Sequence, residues 1–286
     1  MKGPITPQRI KELRDLTGVG VSKCRDALEQ AHGDLELAAS ILRKMGVDSG
    51  AKKADRETKE GVVAHKENDS IVAFAEVNAE TDFVAKNEKF LDFCHKIAEE
   101  VALSKPASVA EFLSKAYSKD SSLTVDQLRN LLIQTIGENI VISRMGFWKR
   151  SPGHAIGIYS HMGGKILALV ELSGTTDATL AREIAMHVAA HAPAYLGPND
   201  IPQDVIEEKK AIARSQVADK PAHVMDKIIE GKLRAFFEEN CLLKQRFVRE
   251  EHDMTIEELL KHRGKQSGHD IQVVRFLRWA VGQGAA

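Results

Sequence analysis

At 286 residues the chain has length for about two domains, and 43% hydrophobic with 28% charged side chains is the balance of ordinary soluble globular units. A formal net charge of −1 and 5% aromatic residues argue against nucleic-acid binding by bulk electrostatics or by base-stacking platforms. Three cysteines, Cys24, Cys94 and Cys241, stand far apart with no C-x-x-C pair, which argues against a disulfide framework or zinc ribbon and fits a reducing compartment.

The start, Met1 to Pro7, lacks the apolar core of a signal peptide, and no run of ~18 apolar residues occurs, so no membrane span is expected and the expected location is cytoplasmic. Thr6 followed by Pro7 reads as a helix start, with Ile10, Leu13 and Leu16 as its stripe and Gly18 and Gly20 as its end. Ser22 is suited to cap a second helix with Cys24, Ala27 and Leu28 inward. Gly33 closes it, Asp34 caps a third, and Leu37, Ala38, Ile41 and Leu42 form the last stripe before Gly46. Residues 1–46 therefore read as a compact three-helix module that looks like a ubiquitin-associated-type domain. Its first loop, Thr17 to Val21, is either an apolar patch for a partner or simply a tight turn. Residues 47–60 hold few apolar side chains and read as a flexible linker, with Lys52-Lys53 facing an acidic partner or water.

From Gly61 the chain repeats itself. Gly61-Val62-Val63-Ala64-His65 and Gly157-Ile158-Tyr159-Ser160-His161 each open a strand, followed by a turn (Glu67-Asn68-Asp69; Met162-Gly163-Gly164) and a second strand (Ile71 to Val77; Ile166 to Leu172). A helix follows with Ile97-Ala98, Val101-Ala102 and Pro106 in one copy. Ile184-Ala185, Val188-Ala189 and Pro193 keep the same spacing in the other. Thr124 and Thr255 each precede a glycine by 13 residues, and Gly137, Ile140, Ile142, Arg144 and Trp148 match Gly268, Ile271, Val273, Arg275 and Trp279. The expected fold class is α+β: the helical module, then two homologous units, each a three-stranded antiparallel sheet with helices on one face. The expected boundaries are 61–150 for the first unit and 151–201 with 246–286 for the second.

The copies differ in two places. Asp82 to Ile97 spans eight residues more than Asp177 to Ile184, and the surplus covers Phe83 to Phe90. The preceding Thr81-Asp82 reads as a helix cap, and Phe83 is then either core filler or an exposed functional group. Because the second copy omits the segment, the scaffold is expected not to need it, and omitted material is where function tends to sit. The second copy has its own insertion at 202–245. It carries one helical pattern at Val205, Ile206, Ile212 and Val217. A second pattern runs through Val224, Met225, Ile228, Ile229, Leu233, Phe236 and Phe237 after Pro221. It reads as an antiparallel helical hairpin that binds another protein, self-associates or packs on its own unit.

No catalytic constellation is evident. Gly163-Gly164-Lys165 lacks both the first glycine and the following Ser or Thr of a phosphate loop. His187 and His191 are four apart, but Val188 stands where a zinc protease carries glutamate and no third ligand is evident. Neither an enzyme activity nor a metal site nor a cofactor is expected.

Leu13-Arg14, Thr17-Gly18-x-Gly20, Cys24, Ala27-Leu28, Gly33-Asp34, Ala51-Lys52-Lys53, Thr81-Asp82-Phe83-Val84-Ala85-Lys86-Asn87, Gly137-Glu138-Asn139-Ile140 and Ile184 to Ala190 together closely resemble the elongation factor Ts family. The resemblance covers essentially the whole chain in order. It implies a guanine-nucleotide exchange factor that binds the GTPase elongation factor Tu in translation, itself binding no nucleotide. It further implies that Thr81, Asp82, Phe83 and Val84 form a tip that enters the GTPase near its Mg²⁺ site and dislocates the ion. By residue match, Arg14, Val21, Lys52, Lys53, Ile136 and His161 fall on positions the family uses or places near the partner, although Val21 departs from the methionine seen in some members. Homodimerisation through the hairpin stays open. Two other readings remain beside this one: an adaptor that binds through the helical module alone, and an RNA-binding translation protein suggested by Lys149-Arg150 and Arg275/Arg278, which the near-zero net charge disfavours.

Overall fold

The computed structural model describes residues 3–216, 221–249 and 253–284. Val217, expected on the first helix of the insertion, lies outside them. The chain divides into two compact units, one of Met1–Lys149, Gly163–Lys165 and Ala280–Ala286, the other of Arg150–Met162 and Ile166–Trp279. Among the described residues no helix is long and apolar enough to cross a membrane.

The first unit opens with α1 (Pro7–Thr17), α2 (Val21–Gln30) and α3 (Leu35–Ala51). It continues through β1 (Glu60–Glu67), β2 (Ile71–Ala79), α4 (Asp82–Ala85), α5 (Glu88–Ser104) and α6 (Val109–Ser114). It ends with β3 (Ala116–Tyr117), β4 (Asp120–Thr124), α7 (Val125–Ile136) and β5 (Ile140–Lys149). The expected caps of α1 and α3 form: Thr6 Oγ1 accepts from Arg9 N at 3.3 Å and Asp34 Oδ1 from Leu37 N at 3.0 Å. Ser22 does not cap α2, which starts two residues earlier than that cap would place it, at Val21 with Gly20 at the cap position. Leu13, Cys24, Ala27, Leu28, Ala38 and Leu42 are buried as the stripes require. Leu16 is instead exposed, because the left-handed turn at Gly18 brings Val19 inward to fill the bundle. Leu37 is exposed too.

The expected linker starts late. α3 runs through Ala51, and its two glycines are close-approach positions against α7 rather than breaks. A Cβ on Gly50 would lie 2.0 Å from Asn130 Oδ1, and one on Gly46 would lie 3.3 Å from the Asn130 backbone. Leu123 and Leu131 join the three-helix core, so the helical module shares its packing with the rest of its unit.

The sheet order is β1-β2-β5, antiparallel throughout, with Val62 opposite Val77 and Val72 opposite Trp148. β2 is buried at every position, as a central strand must be when both faces are covered. The apolar stripe of α5 (Phe90, Phe93, Cys94, Ile97, Val101) packs with Val62, Ala64, Ala73, Ala75, Val77, Ile140 and Ile142. The segment that the second copy lacks is not surplus, because Val84, Ala85 and Phe90 belong to this core. It also forms a separate short helix, α4, before Asn87 caps α5.

The second unit contains β6 (Ala155–His161), β7 (Ile166–Ser173), α8 (Ala178–His191), α9 (Gln203–Ser215), α10 (Ala222–Asn240), α11 (Ile256–Ser267) and β8 (Gln272–Ala280). Its sheet order is β6-β7-β8, and Gly157 lets α8 lie against β6, since a Cβ there would fall 2.0 Å from the Ala181 carbonyl carbon. α9 and α10 run in opposite directions, with Lys209 over the Phe236 ring at one end and Lys232 bonded to Gln216 at the other. Ala213 on α9 and Ile229 on α10 are buried, whereas Ile212, expected inside, is exposed.

Several features recur in both units. Capping boxes stand at Thr124/Gln127 and Thr255/Glu258, and left-handed glycines end the same helices at Gly137 and Gly268. A buried glutamate on the middle strand meets an arginine of the third: Glu76 with Arg144 Nε at 2.7 Å, Glu171 with Arg275 Nε at 2.6 Å. Each arginine offsets the cost of a buried carboxylate.

Candidate functional site

β2 ends at Ala79, and the chain then turns through Glu80 and Thr81 into the four-residue helix α4. Thr81 caps it, its Oγ1 accepting from Val84 N at 3.4 Å. One side of α4 is apolar and anchored, with Val84 and Ala85 buried. The other side carries Phe83, which is 82% exposed and is the most exposed large hydrophobic side chain among the described residues. This decides against Phe83 as core filler. Asp82 and Lys86 close an exposed ion pair of 2.7 Å one helical turn apart. The Lys86 hydrogen bond holds the Asp82 carboxyl below its usual range, so it is ionised at neutral pH. A bare aromatic ring beside a charged pair, on a base packed from below, can be pushed into another protein's surface without disturbing its own fold.

The tip is held by residues that follow α7. Glu138 Oε2 accepts from Thr81 N at 3.0 Å, and Glu138 Oε1 from Thr81 Oγ1 at 2.7 Å. Reciprocally, Glu80 Oε1 accepts from Asn139 N at 2.5 Å. The Asn139 amide donates to Ala54 O at 3.3 Å and Arg56 O at 2.9 Å, tying in the segment just after Lys52-Lys53. On the other side of the same junction, Lys23 Nζ donates to Gln134 O at 3.3 Å. The end of α7 thus gathers the tip, the start of α2 and the turn after α3.

Of the residues implied by the resemblance, Thr81, Asp82, Phe83 and Val84 form this tip, although Val84 faces inward. Val21 is exposed at the start of α2, and Ile136 is half-buried in the last turn of α7, on either side of the junction just described. Lys52 is exposed at the end of α3, while Lys53 bonds Ser49 Oγ at 3.0 Å. Arg14 is exposed on α1. His161 lies in the second unit, exposed at the end of β6, with Nδ1 3.2 Å from the Tyr159 hydroxyl. His187 is fully buried, stacks on His191 at 4.2 Å and bonds Gln245 Oε1 at 3.0 Å. No group of three His, Cys, Asp or Glu among the described residues is placed to hold a metal ion.

By sequence, Glu138 and Asn139 enter only as part of the motif Gly137-Glu138-Asn139-Ile140, with no role given, and Glu80 does not enter at all, though a signal existed. In the first copy Glu138-Asn139 follow Gly137; in the second His269-Asp270 follow Gly268, and Thr175 stands where the first copy has Glu80. The acidic residues occur only in the copy that has the tip.

The elongation factor TS family model matches residues 80–283. The chain is 51% identical to elongation factor Ts of Protochlamydia amoebophila over 280 residues, covering 98% of this chain and 99% of that protein. It is 44% identical to elongation factor Ts of Chlamydia caviae and 43% identical to that of Chlamydia felis, each over 276 residues, 96% of this chain and 98% of theirs. With a buried-base, exposed-ring tip at its conspicuous motif and similarity of this extent, the chain belongs to the elongation factor Ts family.

Proposed function

We propose that this chain binds elongation factor Tu in its GDP state and speeds GDP release by disturbing the Mg²⁺ and phosphate site of the GTPase, so that GTP can enter. The single observation that carries the reading is the 82% exposure of Phe83 on a helix whose opposite side is buried. Mg²⁺ demands near-ideal octahedral geometry and bridges nucleotide phosphate to protein. A rigid ring that displaces an element of the partner by ~1–2 Å takes ligands off that geometry. Asp82, ionised beside Lys86, competes for donors near the site, Thr81 sets the angle of the tip, and Val84 seats it.

The chain itself transfers no group and holds no nucleotide. It acts by binding the nucleotide-free GTPase more tightly than the loaded one, and the loaded state is disfavoured by the same factor. Arg14, Val21, Lys52, Lys53, Ile136 and His161 extend the contact. The helical module of residues 1–46 acts as a ubiquitin-associated-like docking domain, and the units at 61–150 and at 151–201 with 246–286 are two copies of one ancestral fold. The shared capping boxes, left-handed glycines and buried Glu–Arg pairs support that kinship. The hairpin at 202–245 is an addition to the second copy.

The test is stopped-flow release of a fluorescent GDP analogue from elongation factor Tu, with and without the full chain. Acceleration that saturates with chain concentration is expected. A release rate independent of the chain overturns the proposal. Equal acceleration by a Phe83→Ala variant would return the adaptor reading.

A further inference from the structure

We propose that Glu138 is the positioning residue of the tip: its carboxylate fixes the Thr81 cap, and through it the direction in which Phe83 points. This rests on the exchange reading above and adds to it the residue that aims the wedge. The starting point is that α4 has four residues, far below the length at which a helix holds itself together. Phe83 contributes little to its own placement, since its ring is exposed. Orientation must come from the buried underside and from the cap.

The cap has a direction that only a carboxylate can impose. Thr81 presents two donors to Glu138, its backbone N–H at 3.0 Å and its hydroxyl at 2.7 Å. An ionised carboxylate accepts and cannot donate, so the hydroxyl proton is committed to Glu138. The hydroxyl lone pairs are then turned toward Val84 N, 3.4 Å away, which is the bond that starts the helix. The sequence of donors runs Val84 N–H to Thr81 O–H to Glu138, and each bond polarises the next. The neighbouring pair works in the opposite sense, with Glu80 accepting from Asn139 N at 2.5 Å. Residues 80–81 and 138–139 therefore clasp one another by side chain to backbone in both directions. Asn139 adds bonds to Ala54 O and Arg56 O. The second unit supplies an internal comparison. At the matching places it has Thr175 and His269, and there Asp177 caps the long helix α8 directly through Thr179 N and Leu180 N. The clasp accompanies the tip, not the scaffold.

Glutamine is the sharp probe. It has the same shape but one acceptor and one donor group, so its NH₂ either meets the Thr81 N–H donor to donor or donates to the Thr81 hydroxyl, which then turns its proton away from residue 138 and shares its lone pairs with Val84 N. In the full-length Glu138→Gln protein, GDP release from elongation factor Tu at saturating factor is expected to slow by about tenfold, the scale on which a misaimed group loses its action. The half-saturating concentration is expected to change by less than about twofold, because the docking surfaces elsewhere are intact. Thr81→Val removes only the hydroxyl and should give a similar fall. In the double variant the glutamine oxygen can accept from Thr81 N–H with its NH₂ against a methyl, so release should be no slower than in Glu138→Gln alone. Should Glu138→Gln fail to fold, as judged by circular dichroism and thermal melting, Thr81→Val carries the same expectation. Phe83→Ala is measured in parallel. Slow release by Phe83→Ala with wild-type release by Glu138→Gln or by Thr81→Val overturns the role of Glu138 and leaves the wedge standing. Effects of the two single variants that multiply in the double overturn it as well. Wild-type release by Phe83→Ala overturns the exchange reading on which it rests.

Discussion

Truncating Phe83 to alanine separates a side chain that holds its own fold from one that acts on another protein. Phe83 is 82% exposed, so little of the ring's surface leaves water when the chain folds. Full burial of a phenylalanine contributes about 1.5–3 kcal/mol, so the covered fraction is worth roughly half a kcal/mol. Alanine recovers some of that by its better helix propensity, up to ~0.5 kcal/mol. The melting temperature should therefore move by less than about 2 °C. Phe90, seven residues on and fully buried, is the internal control, since its truncation should cost ~3–5 kcal/mol and lower the melt by roughly 10 °C. The effect on function runs the other way. If the ring is the wedge, its loss removes a contact of the energetic class that dominates interfaces, ~2 kcal/mol or more, and release at saturating factor slows by about thirtyfold. Mg²⁺ chelation should narrow that ratio, because the step assisted by the ring is then already complete. The assays are differential scanning calorimetry of the free variant and stopped-flow release at low and high Mg²⁺. A melt lowered by roughly 10 °C, or release in Mg²⁺ as fast as wild type, would refute the reasoning.

Removing Phe83 to Phe90 altogether should abolish cooperative unfolding by circular dichroism, because the deletion takes Val84, Ala85 and Phe90 out of the core. Gly157→Ala should destabilise the second unit by ~1–3 kcal/mol in urea titration, since the new methyl would fall 2.0 Å from the Ala181 carbonyl carbon on the backbone of α8. Burial pushes the His187 imidazole down to about 4 from 6.5, so it folds neutral, with Gln245 and His191 as its polar neighbours. Between those values the unfolded chain binds the extra proton, so stability is full above pH 6.5 and is lost as pH falls toward 4. Denaturant midpoints across that range should flatten in His187→Phe, and a wild-type slope in that variant would assign the titration elsewhere.

What could be read from the residues was whatever repeats. Strand and helix periods, the capping threonines and the paired glycines placed every strand of the two larger sheets and their main helices, because those signals are local. Three kinds of feature escaped. Leu16 fits its helical stripe but is displaced by Val19, and only the left-handed backbone at Gly18 reveals it. Gly46 reads as the end of the third helix and Gly50 as linker, whereas their missing side chains are what lets α3 approach Asn130. Glu138 is an ordinary charged residue whose partner, Thr81, lies 57 positions earlier.

That last class is where an internal repeat does more than reveal a fold. On the proposal that the two units are copies of one fold, the acids they share are structural: Glu76 and Glu171 both lie buried against an arginine of the third strand. An acid present in one copy and absent from the other is released from that constraint, and its presence calls for another cause. Glu80 and Glu138 are such acids, replaced by Thr175 and His269 in the second copy. Glu138 accepts from Thr81 at the base of the tip, and Glu80, next to Thr81 in the chain, accepts from Asn139 N. Comparing the two units thus singles out, from the sequence and the hydrogen bonds together, the exposed ring and the bonds beneath it, the pair proposed above to act as wedge and clasp.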